Sequence, residues 1–473
     1  MPFSLLNGGS RGTPSRSDGI TEETGGAVRT SLVSYREVWT LAWPVIAEMA
    51  LQTVSSVVDM AMVGRLGAAQ VAAVGLTFHP VFLVMAVFMG IAVGTTALVA
   101  RFVGAGFWEE AGGVTRQSLL LAVALGLFTG LLGYLLAEPV VRWMGASPEV
   151  TGLGASYLRW SMPGLVFLFI FNILTGALRG AGDMKTPLKV NIVLNLFKVA
   201  ANYPLIFGVA GWPGLALDGA ALSTTLARGV GTLALLIMTV QGQRTPLRLD
   251  PGQDWRPDLG LIRRIMNIGL PAAGERIITS LGQVLFARMV AGLGTVIYAA
   301  HSIGLNVESF SYMPGMGFAT AATTMVGQRL GAGRGEEAAQ TGWGTLRLAL
   351  VVMGSMGALF FLFPRQFMGI YTADAAVIGY GIQALRIVAF SQIPEGAGFV
   401  LSGALRGAGD TRYVLNVTII GMWLVRLGLT YLFIESWGWG LAGAWVAMTM
   451  DWVVRAVLLF LRFRGAAWRR IKV

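Results

Sequence analysis

The sequence has no cysteine, only two histidines and few charges, and each shortage removes a class of function. Without cysteine the chain forms no disulfide and no thiolate metal site, although this does not identify a compartment. The two histidines, His79 and His301, stand far apart in the sequence. Neither a His-Glu-x-x-His pair nor a phosphate loop ending in Gly-Lys-Ser/Thr occurs. "GAGRGE" at 331–336 resembles a dinucleotide fingerprint but lacks its last glycine and a preceding strand, so it reads as a loop. An enzyme is therefore disfavoured, and no catalytic residue, metal site or cofactor is expected. A receptor or scaffold is disfavoured as well, because long extramembrane segments are missing.

Only 12% of the residues are charged, against about one quarter in soluble domains, while 55% are hydrophobic and the mean hydropathy is +0.67. This composition is that of a polytopic membrane protein, and the 64 glycines suit close helix packing in a bilayer. Residues 1–34 are polar and glycine-rich without a signal-type apolar core, and are expected to be a disordered tail.

Apolar segments long enough to span occur near 38–62, 72–100, 118–137, 158–178, 188–208 and 219–240. They resume near 265–292, 296–326, 345–363, 378–404, 414–434 and 440–461. The fold class is thus an all-α membrane protein with twelve transmembrane helices. If the termini lie inside, 24 of the 35 Lys and Arg fall on inner segments, and only Arg65, Arg142, Arg159, Arg365 and Arg386 lie on outer ones. That asymmetry predicts cytoplasmic termini in a plasma (inner) membrane. The net charge of +11 then reports topology and gives no reason to expect nucleic acid as a partner.

An internal repeat is the stronger regularity. "GALRGAGD" occurs at 176–183 and again at 403–410, an offset of 227. The same offset aligns Pro44 with Pro271, Glu48 with Glu275, Arg159 with Arg386, and "GAG" at 104–106 with 331–333. Six helices have been duplicated. Six is even, so both copies share one orientation, and a cavity is expected between them. The expected organisation is a first lobe over 35–240, a cytoplasmic link over 241–264, a second lobe over 265–461 and a basic tail over 462–473.

The order and spacing of "LAWPVIAEMALQTVSSVVDMAMVGRLGAAQVAAVGL", "MPGMGFATAATTMVGQRLGAG" and the two "GALRGAGD" copies resemble the multidrug and toxic compound extrusion (MATE) family, in its bacterial NorM- and DinF-like form. The resemblance covers nearly all of 36–461. It implies a V of two pseudo-symmetric six-helix lobes that exports organic, often cationic, small molecules against protons or sodium ions. The lipid-linked sugar flippases of the same superfamily are the alternative, and Lys198, Arg276 and Arg288 would serve their pyrophosphate. Substrate identity and oligomeric state are not legible.

An aspartate inside a span costs roughly 2.5–3.5 kcal/mol, so Asp59 needs a partner or a role. The resemblance implies that it is the cation or proton site. The duplicate position holds Phe286, so the lobes are unequal here. Asn202 and Asp59 each lie about 22 Å along their helices from Pro187 and Pro44, hence at one level. Asn202 stands where relatives often carry an aspartate, and Lys198, one turn earlier, where the pattern often has asparagine. Asn172 is a further ligand candidate; Asn191 and Asn195 read as interhelical glue. Protons are the expected coupling ion, with sodium second. Glu275, Glu308 and Glu395 are expected to bind cationic substrate, unless Arg276, Arg288 and Arg426 neutralise them. The "GALRGAGD" copies read as structural hinges.

Overall fold

The computed structural model describes residues 34–209, 211–242, 247, 249–250 and 252–471, with backbone only at 78–80 and 83. But for Ser34, the expected tail lies outside the described residues.

The first six long helices are α1 (Tyr35–Gly64), α2 (Ala68–Gly104), α3 (Trp108–Leu135), α5 (Pro148–Gly180), α6 (Lys185–Phe207) and α7 (Ala216–Gln241), with a short α4 (Ala137–Trp143) between α3 and α5. The second set is α8 (Leu259–Ala291), α9 (Thr295–Gly331), α10 (Gly335–Leu362), α12 (Ala375–Gly407), α13 (Thr411–Ser436) and α14 (Gly440–Arg464), with a short α11 (Pro364–Gly369) in the place of α4. Bounds of α2, α3 and α5 recur in α9, α10 and α12 at the offset of 227. The duplication visible in the sequence is therefore a duplication of helices.

Ten of these helices are apolar and long enough to cross a membrane. The expected spans over 265–292 and 296–326 form α8 and α9 but miss that composition, because α8 carries Glu275, Arg276 and Arg288 and α9 carries His301, Asn306 and Glu308. Of these side chains His301 and Glu308 are buried, Glu275 and Arg276 are partly buried, and Arg288 and Asn306 are exposed.

Side-chain bonds repeat as well. Arg179 of the first "GALRGAGD" donates to Glu48 at 2.6 Å, and Arg406 of the second to Glu275 at 2.6 Å. Thr96 donates to the Gly176 carbonyl at 2.9 Å and Thr323 to the Gly403 carbonyl at 2.8 Å. Both repeats place these octapeptides at the end of the molecule that holds the Lys- and Arg-rich loops, here the basic end. Arg179 meets the buried Glu48 there and Arg406 the partly buried Glu275.

The lobes touch along the basic half. Small residues make this possible: a Cβ on Gly90 would lie 2.4 Å from the Gly269 carbonyl, and one on Gly317 would lie 2.5 Å from Ile46. Val38 and Ala42 of α1 belong to the core of the second lobe, with Phe318, Ala321 and Met325. Further along, the same helix is uncovered, and Val57 is 64% exposed. The lobes are thus closed at the basic end and parted at the other. The link between them folds on α3, where Gln117 donates to the Arg256 carbonyl at 2.8 Å and accepts from the Asp258 amide at 3.0 Å.

Candidate functional site

Two polar clusters occupy corresponding places in the two lobes.

In the first lobe, α1 and α6 run parallel from the basic end. Asn191 donates to Glu48 at 2.6 Å; eleven residues on, about 16 Å, Asn202 donates to Asp59 at 2.7 Å. Lys198, one turn before Asn202 on α6, forms an ion pair with the other Asp59 oxygen. Ser223 of α7 donates to the Asn202 carbonyl oxygen, which turns the Asn202 amide nitrogen toward Asp59. Both carboxylate oxygens are therefore occupied by donors from one other helix, α6. The pair is not sealed: the Asp59 side chain is 28% and that of Lys198 14% exposed. Tyr157 of α5 and Arg228 of α7 lie within electrostatic reach of Asp59.

Asp59, Lys198 and Asn202 are thus brought together. Asn172 is not joined to them by a hydrogen bond; it lies seven residues from Arg179, about 10 Å toward Asp59, short of its level. Ser223, Tyr157 and Arg228 were not legible as members. Arg228 did carry a signal, since the offset of 227 aligns it with another intramembrane arginine, Arg455.

In the second lobe, Phe286 stands in the place of Asp59, and the Arg426 guanidinium lies over its ring at 5.7 Å. Lys198 plus 227 is Val425, so Arg426 is one residue late. The cause is a π-helical turn over Ile420–Leu427, whose extra residue shifts the register of α13. Before it the offset still holds, since Thr418, the duplicate of Asn191, reaches Glu275 at 3.5 Å. Arg426 and Arg455 share one acid, Asp451 of α14: Arg426 Nε donates at 2.8 Å and Arg455 Nη2 at 3.0 Å. The two lobes thus keep a cation on the fifth and the sixth long helix, while the acid moves from the first helix to the sixth. Asp451 and its two arginines are enclosed by protein, whereas Asp59 and Lys198 are partly uncovered.

Glu308 and Glu395 are buried near each other, within electrostatic reach of Arg426, and Gln392 donates to Glu395 at 3.3 Å. Glu275 is not with them. It pairs with Arg406 near the basic end, and its neighbour Arg276 is no partner because adjacent residues of a helix point about 100° apart.

The cleft between the lobes has a volume of about 520 Å³ and is walled by the outer part of α1 and the middle of α9. Met49, Met60 and Met313 give it a deformable apolar surface, and Gln52, Thr53, Ser56, Ser309 and Tyr312 give it neutral hydrogen-bonding groups. Among the described residues, no charged side chain lines it. Among the described residues, no group of three or more His, Asp or Glu is placed to hold a metal ion.

A family profile described as MatE matches residues 44–204 and again 271–432, the two copies of the repeat. The "Probable multidrug resistance protein NorM" of Thermotoga maritima is 30% identical over 440 residues, covering 92% of this chain and 93% of its own. That of Rhizobium meliloti is 30% identical over 438 residues, covering 89% and 91%. A solved structure described as an outward-facing conformation of a multidrug resistance MATE family transporter of the MOP superfamily superposes with a TM-score of 0.84 at 25% identity, over 91% of this chain and 95% of that one. Another, from Pyrococcus furiosus, superposes with 0.84 at 25% identity over 92% and 97%; it is described as a MOP superfamily transporter whose reversed pocket polarity suggests a different function.

Proposed function

The chain belongs to the MatE family, and on that premise we propose that it is a multidrug efflux antiporter exchanging organic, often cationic, compounds for protons, with Asp59 as the coupling carboxylate. The resistance proteins that carry the NorM name are its relatives over nine-tenths of its length, which supports the drug-exporting role. The basic end is the cytoplasmic one by the distribution of Lys and Arg, with both termini inside an inner membrane. The cleft then opens outward.

One observation carries the assignment of Asp59. Of the two equivalent clusters, only this one leaves its acid and its cation partly uncovered by protein: the Asp59 side chain is 28% and that of Lys198 14% exposed, against 0% for Asp451 and 7% and 8% for Arg426 and Arg455. A relative movement of α1 and α6 separates Asp59 from Lys198 and leaves an unpaired carboxylate in a low-dielectric lobe, which takes up a proton. Bringing the helices together restores the pair and expels it. A cationic substrate competes for the same charge. Sodium is the second choice: it wants several oxygen ligands, and at ~6 Å and an effective dielectric of ~20 the Lys198 ammonium repels it by roughly 3 kcal/mol. Asn202 contributes one hydrogen bond that orients Asp59; Asn172 has no assigned part.

Glu308 and Glu395 act on the substrate through their field. Glu308 directly precedes Ser309 of the cleft wall, and both carboxylates lie in the low-dielectric interior behind it. Glu275 holds Arg406 instead. A flippase for lipid-linked sugars would want cations at the cleft surface, and its wall is uncharged.

Binding and protonation at one carboxylate are linked reciprocally, so a cationic dye binding to purified protein should release roughly one proton per site into a weakly buffered solution. Asp59→Asn should bind the dye without releasing it. Dye binding by the wild type with no proton release would contradict the proposal.

A further inference from the structure

The last described segment, part of the expected basic tail, is folded. After α14 ends at Arg464, Ala466 takes a left-handed φ of 55° and turns the chain back. Trp468 then stacks on Phe463 at 4.6 Å, donates to the Phe463 carbonyl at 2.7 Å, and is fully buried in the second-lobe core. Arg469 pairs with Glu336 at the start of α10 at 2.5 Å. Residues 466–471 are therefore anchored to the second lobe.

Their far end reaches the first lobe. Arg101 of α2 donates to the Ile471 carbonyl at 3.3 Å, and with the same nitrogen to the Ala408 carbonyl at the end of α12 at 2.9 Å. Across the seam, the duplicate of Arg101 is Gln328, which donates to the Gly180 carbonyl at the end of α5 at 2.9 Å. The second long helix of each lobe thus caps the C-terminus of the fourth long helix of the other. The backbones cross closely here: a Cβ on Gly104 would lie 1.9 Å from the Gln328 carbonyl, and one on Gly331 would lie 2.0 Å from that of Arg101. One cap is plain and the other reinforced. Gln328 satisfies a single carbonyl, whereas the guanidinium also holds segment 466–471, and a cation suits the negative end of a helix.

We propose that segment 466–471 is a strap that, through Arg101, holds the basic end of the transporter shut and sets how much of the protein stands in the conformation open at the other end. The proposal rests on the reading of the protein as a two-state exchanger. Loosening the strap moves the population toward the state open at the basic end. Arg101 is a positioning residue here, since it touches no substrate.

The absence of native cysteine makes two reporters clean. Ala100→Cys sits at the seam, fully buried, with its Cβ facing Gly327 of the other lobe; Val57→Cys sits in the open cleft. Labelling rates with an impermeant maleimide would be measured in nanodiscs, where both faces are reachable. Three backgrounds are compared: the chain ended at Gly465, Arg101→Gln, and Gln328→Ala. Arg101→Gln keeps a side chain able to cap α12, as Gln328 caps α5, but loses the reach to Ile471, so a purely structural cap would survive it. Losing one charge-assisted bond should raise Ala100→Cys labelling about tenfold and lower that of Val57→Cys. Opposite changes in the two reporters exclude unfolding, which would raise both. Unchanged rates in the shortened chain and in Arg101→Gln, with a response to Gln328→Ala, would overturn the strap. No response in any background would overturn the two-state reading beneath it.

Discussion

On the proposed function, the charge of Glu308 and Glu395, held near each other and Arg426 in a lobe interior, falls on a cleft that no charged side chain lines among the described residues. Replacing both with glutamine removes that field without changing the shape of the wall. Export of cationic dyes should fall severalfold while export of neutral ones of similar size holds, as read by dye efflux from cells; equal loss of both would assign the pair to structure. Residues of this kind were legible where a cost in lipid could be counted. Asp59, Lys198 and Asn202 follow from an aspartate out of place and from a rise of 1.5 Å per residue. Ser223 and Tyr157 did not, because a hydroxyl in a span costs little and its direction depends on packing. Glu275 was matched to the wrong kind of partner: its neighbour in sequence points elsewhere, and the arginine that meets it lies 131 residues away.

Helix α13 bears the greatest departure from its duplicate. Its π-helical turn carries Arg426 to the place of Lys198, and Gly421 within that turn leaves room for the Asp451–Arg455 pair. A Cβ at Gly421 would lie 2.1 Å from Asp451 Oδ1 and 2.5 Å from Arg455 Nε. Gly421→Ala should therefore break a buried pair and destabilise the protein by ~3 kcal/mol, lowering its melting temperature in detergent. Gly428→Ala, in the same helix with open space around it, should change little. Equal effects of the two would separate the pair from the stability of α13. The helices themselves were legible from length and apolarity, and the repeat gave their pairing. The register shift was not, because a single added residue inside a continuous apolar run leaves no mark on its composition. The polar α8 and α9 read as spans from the length of the apolar segments 265–292 and 296–326, and the repeat matched them to α1 and α2.

For the molecule as a whole, the twelve helices in two lobes follow from the sequence, whereas the closure at the basic end does not. On the proposed exchange cycle one sequence stabilises two arrangements of the same lobes, so its glycines and polar residues serve both. The contacts that distinguish this one, from Thr324 to the Arg179 carbonyl and from Arg329 to Glu37, join residues without any shared motif. The proposed exchange cycle turns on Asp59 carrying a proton while Lys198 keeps sodium out. Export from proteoliposomes, driven by a proton gradient alone or a sodium gradient alone, tests that directly in the wild type, Asp59→Asn and Lys198→Asn. The proton gradient should drive export by the wild type and not by Asp59→Asn, and Lys198→Asn should gain response to sodium. Robust sodium-driven export by the wild type with no proton gradient would contradict the account.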